Sequence, residues 1–171
     1  MITVQDYQVL IKRFLESKHF SDLMQETLNL ILNGKLTFYF FDEFLKSKNL
    51  TLKDVKAETL DVILDYAEMI LDDDNLSEDE ILSIRTLRAF LGVEEGDFQQ
   101  FKRMDRVEAI IIEQLQKLYA DNKIDQKEML HKSELQGLFG LSYNEYQDIV
   151  NKVAIEAYSR GADVRDLDTY L

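Results

Sequence analysis

The chain has 171 residues, with 20 basic and 33 acidic side chains, a formal net charge of −13, and no Cys, Pro or Trp. Without Cys there can be no disulfide, no thiolate chemistry and no Cys-based zinc or iron–sulfur centre. No apolar run approaches the ~20 residues that span a bilayer, and the first ten residues lack signal-peptide anatomy, so a cytoplasmic protein without a transmembrane segment is expected.

The absence of Pro and the presence of only six Gly predict an all-α chain, a helical bundle of about eight helices with short connections. The first helix is expected over 3–18, where Thr3 and Asp6 have capping spacing. The second spans 21–32 and ends at Asn33-Gly34. A third, over 37–48, is ambiguous, because Leu36-Thr-Phe-Tyr-Phe-Phe41 also suits a buried strand. Thr51 and Asp54 open 52–72. Ser77 and Glu80 open 77–91, which stops at Gly92. A single helix follows over 97–120. Asp125 with Glu128 and Ser142 with Glu145 form capping boxes for 125–139 and 142–160, closed by Gly140 and Gly161. Residues 1–50 are read as an N-terminal helical elaboration, and 51–171 as a bundle packed with it as one globular unit.

Charge is distributed unevenly. Residues 1–50 carry no net charge, whereas 51–100 carry −10 and 101–171 carry −3. Between Glu58 and Glu80 lie ten carboxylates and no Lys, Arg or His. Direct nucleic-acid binding needs a basic footprint and is not expected here. The complement of such a segment is a cation or a basic protein.

An internal repeat appears at an offset of 48 residues. Asp73-Asp74-Asn75-Leu76-Ser77-Glu78-Asp79-Glu80 aligns with Asp121-Asn122-Lys123-Ile124-Asp125-Gln126-Lys127-Glu128. Ile63, Ala67 and Ile70 fall on Ile111, Leu115 and Leu118. Downstream, Leu87, Phe90, Leu91, Gly92, Val93 and Phe98 fall on Leu135, Leu138, Phe139, Gly140, Leu141 and Tyr146. Each copy reads as helix, acidic turn, helix, Gly stop, helix, and the two are expected to pack together. The turns are not calcium EF-hands. Counted from Asp73, the position that needs a carboxylate is Ile84, and counted from Asp121 it is Lys132.

The pattern D-x-x-[LI]-x-x-x-E, followed by a helix with an L-G-[LV]-like stop and present twice, resembles the TerB-like helical domain, a family named for a bacterial tellurite-resistance protein. The resemblance covers about 54–160. It implies an all-α, non-enzymatic, stress-associated domain whose acidic face holds a divalent cation such as Ca²⁺ or Mn²⁺. Carried over, the metal candidates are Asp73 and Glu80 in the first copy and Asp121 and Glu128 in the second, with Asp74 and Asp125 as additional oxygens. Against this, Glu80 and Glu128 stand where capping glutamates belong.

Glu58, Asp61, Asp65, Glu68 and Asp72 recur at spacings of 3 and 4, one acidic stripe opposite Ile63, Ala67 and Ile70. The stripe reads either as a solvated face or as a docking face for a basic partner. The second form has an analogy in immunity proteins, which neutralise a basic toxin such as a nuclease by direct binding. The two His each follow a Glu by three, as in di-iron bundles, but His131 falls outside the apolar stripe and His19 at a helix end. Phe38, Tyr39, Phe40, Phe41 and Phe44 are dense enough to feed a core, with Phe38, Phe41 and Phe44 on the buried side. No Gly-rich phosphate cradle, nucleophile elbow or H-E-x-x-H is present, and a non-enzymatic binding protein is expected.

Overall fold

In the computed structural model the described residues are 3–72, 77–121 and 124–163, with Lys127 described by its backbone alone. They are all-α and contain no strand. Nine helices are described: α1 (Val4–Ser17), α2 (Asp22–Leu32), α3 (Phe38–Ser47), α4 (Leu52–Ile70), α5 (Glu78–Phe90), α6 (Asp97–Gln100), α7 (Met104–Leu118), α8 (Gln126–Phe139) and α9 (Tyr143–Ser159). No helix among them is long and apolar enough to cross a membrane.

The local signals act as expected. Capping boxes close on Thr3–Asp6, Thr51–Asp54, Ser77–Glu80, Asp125–Glu128 and Ser142–Glu145. Ser21 adds a cap, its hydroxyl accepting from Met24 N–H at 3.2 Å. Gly92 and Gly140 both end helices in the left-handed region, at φ 62° and 66°. The ambiguous 37–48 segment is helical because Phe41 and Leu45, one turn apart, are both buried. The single helix expected over 97–120 is broken at Phe101–Arg103. There Lys102 adopts φ 57°, and Arg103 N–H donates to Phe98 O at 2.7 Å.

Two compact units result, Met1–Glu94 and Glu95–Leu171. The N-terminal segment 1–50 therefore shares a unit with the first copy up to Glu94, whereas the part of that copy after Gly92 that carries Phe98 lies with the second copy in the other unit. In the first unit α1 packs on α2, α2 on α3, α3 on α5 and α5 on α4. Phe14 of α1 meets the Tyr66 ring of α4 at 5.1 Å, and Phe41 of α3 meets Phe90 of α5 at 5.7 Å. In the second unit α7 packs against α6, α8 and α9, with Phe98 and Phe139 edge to face at 5.9 Å. The helix–turn–helix core of the first copy is thus completed by α1–α3, and that of the second by α6 and α9.

Candidate functional site: the acidic face of the first repeat

The acidic face lies along α4. Its apolar side buries Val55, Leu60, Ile63, Ala67 and Ile70. Helical periodicity turns the carboxylates at 58, 61, 65 and 68 the other way, and α4 ends at Ile70, so Asp72, expected within the helix, follows its end. Glu58, Asp61 and Asp65 are half-buried, whereas Glu68 and Asp72 are exposed.

Half-burial at the N-terminal end has a specific cause. The corner between α1 and α2 is anchored by Phe20, buried with its ring 4.8 Å from Phe14. From that corner the Lys18 ammonium pairs with Asp65, and the Ser21 hydroxyl donates to Glu58. Two of the five stripe carboxylates are therefore used in seating the N-terminal helices. The stripe contains no cation of its own in sequence, and Lys18, 47 residues away, supplies one. Such a long-range pairing left no trace in local spacing beyond a Lys placed at a helix end.

Three of the metal candidates serve as helix caps. Glu80 Oε2 accepts from the Ser77 N–H and the Ser77 hydroxyl, both at 2.8 Å, while Ser77 Oγ accepts from Glu80 N–H at 3.2 Å. Glu128 Oε2 accepts from Asp125 N–H at 2.8 Å, and Asp125 Oδ1 accepts from Glu128 N–H at the same distance. Asp121 is exposed in the turn after α7, and Asp73 and Asp74 lie outside the described residues. Among the described residues no group of three His, Asp or Glu is placed to hold a metal ion. Each capping carboxylate stabilises the positive end of its own helix, which is sufficient physical reason for a carboxylate at that position.

The repeat provides an internal comparison for the stripe. Its frame is the same in both copies: Ile63 and Ile111, Ala67 and Leu115, Ile70 and Leu118, Leu87 and Leu135, and Leu91 and Phe139 are all buried. Caps at Ser77 and Asp125 coincide, as do the positive-φ stops at Gly92 and Gly140. The acidic stripe is not part of that frame. At the offset of 48, Glu58, Asp61, Asp65, Glu68 and Asp72 become Arg106, Ala109, Glu113, Gln116 and Ala120. One carboxylate of five remains.

The other singled-out residues are placed as follows. Phe41 is in the core; Phe38 and Phe40 are 37% exposed and Tyr39 63%. Phe44 is half-buried with the Lys48 ammonium 5.4 Å from its ring centroid. His19 is exposed in the α1–α2 corner, and His131 is half-buried on α8 at the repeat position of Ser83. Compared with known families, characterised proteins and solved structures, the chain matches none.

Proposed function

We propose that this is a non-enzymatic binding protein that engages a basic protein partner through the acidic face of its first repeat. The observation that carries the proposal is the asymmetry between the two copies. Buried positions, caps and glycine stops are shared, so the fold of the repeat requires them. Four of the five stripe carboxylates are absent from the second copy, so the fold of the repeat does not. Glu58 and Asp65 also bond Ser21 and Lys18 of the α1–α2 corner. Asp61, Glu68 and Asp72, whose counterparts Ala109, Gln116 and Ala120 carry no charge, are the members to which we assign the partner. A basic protein is favoured over a divalent cation because Glu80, Asp125 and Glu128 are used as caps. Kinship with TerB-like stress-associated domains is proposed on the repeated helix–acidic turn–helix unit. An immunity protein masking a basic nuclease is one form such a complex takes.

The test is affinity capture on the wild-type chain and on a triple variant, Asp61→Asn, Glu68→Gln and Asp72→Asn, followed by calorimetric titration of the purified partner. A protein with an isoelectric point above about 9 should be retained by the wild type and lost from the variant. It should elute near ~0.5 M NaCl, where the screening length is about 4 Å. Equal retention by both chains overturns the proposal. Unfolding in EDTA, in Ca²⁺ and in Mn²⁺, against matched NaCl, tests the cation reading. Saturation at 100 times Kd is worth about 2.7 kcal/mol, a midpoint rise of about 5–11 °C. A rise of that size would move the function to the metal candidates.

A further inference from the structure

We draw no further inference here: the strongest candidate, the exposed aromatic corner formed by Phe38, Tyr39 and Phe40 at the start of α3, carries nothing because nothing in the structure shows what covers it.

Discussion

Replacing Gly92 by Ala tests the packing of α3 on α5 directly, because the first unit contains its own control. Gly34 and Gly92 both follow helices with positive φ, at 77° and 62°. A Cβ at Gly34 meets nothing within 4 Å, whereas a Cβ at Gly92 falls 2.8 Å from Phe38 Cδ2, closer still to Phe38 Cε2, and 3.2 Å from Leu52 Cδ2. The left-handed conformation costs an L-residue roughly 1–2 kcal/mol, and the stiffer unfolded chain returns about 0.4–1 kcal/mol. Gly34→Ala should therefore cost about 1 kcal/mol. At Gly92 the Phe38 ring must also move. It is 37% exposed, so it can swing outward and return up to about two-thirds of its surface to water. With ~150–250 Å² per aromatic side chain and about 25 cal/mol/Å², that adds at most about 2.5–4 kcal/mol. The expected total is about 2–4 kcal/mol. Urea unfolding followed by far-ultraviolet circular dichroism measures both variants, and both substitutions act on the same unit. In a Phe38→Ala background, the cost of Gly92→Ala should fall to that of Gly34→Ala. If Gly92→Ala costs no more than Gly34→Ala in the otherwise wild-type chain, the Phe38–Gly92 contact is not what seats α3.

Three other outcomes follow from single sites. Tyr7 is buried, burial pushes its ionisation upward, and its hydroxyl has no hydrogen-bond partner among the described residues. Tyr7→Phe removes that desolvation penalty and should stabilise the chain by about 1 kcal/mol in urea unfolding; a loss of stability would mean that the hydroxyl is bonded. Lys102 occupies the left-handed position that ends α6, so Lys102→Gly should gain about 0.5–1 kcal/mol, and a loss would refute strain at that turn. At α9, Ser142 donates to the Glu145 carboxylate from its hydroxyl at 2.6 Å and its N–H at 2.9 Å, holding that carboxyl below its ordinary value of 4.5. A carboxyl lowered by folding adds stability that is present above pH 4.5 and is lost as pH falls through the lower folded value. Ser142→Ala should cost about 1 kcal/mol at pH 7 and less at pH 3, and equal costs at the two would exclude the ionised pair.

What was legible in the sequence was local. The capping boxes and the glycine stops lie within one turn of the boundaries they set, and the paired apolar positions of the repeat are buried in both copies. The break between α6 and α7 was not legible. It turns on Lys102 in a conformation usually taken by Gly or Asn, and Phe101-Lys102-Arg103 contains neither. The helical state of 37–48 was open because its apolar run fits either period, and contact between Phe41 and Phe90 decides it. At the candidate site, the stripe could be read from spacing. The bonds of Asp65 and Glu58 could not, since Lys18 and Ser21 reach them from the corner between two other helices.

The second copy keeps the buried frame of the repeat and drops four of the five stripe carboxylates. Four like charges along one face of α4, at Glu58, Asp61, Asp65 and Glu68, oppose helix formation by roughly 0.2–0.5 kcal/mol for each adjacent pair. Glu58 and Asp65 are bound to the α1–α2 corner of their own unit. At the corresponding positions the second copy has Arg106 and an acid, Glu113. Asp61, Glu68 and Asp72 give way to Ala109, Gln116 and Ala120, side chains that the same helical frame accepts without charge. Changing Glu58 or Asp65 is therefore an experiment on the seating of α1 and α2, worth at most about 1 kcal/mol for a partly exposed pair. Changing Asp61, Glu68 and Asp72 together is the experiment on function. Loss of the basic partner in that variant, with binding retained in Glu58→Gln, would place recognition at Asp61, Glu68 and Asp72 and leave the α1–α2 corner a structural role alone.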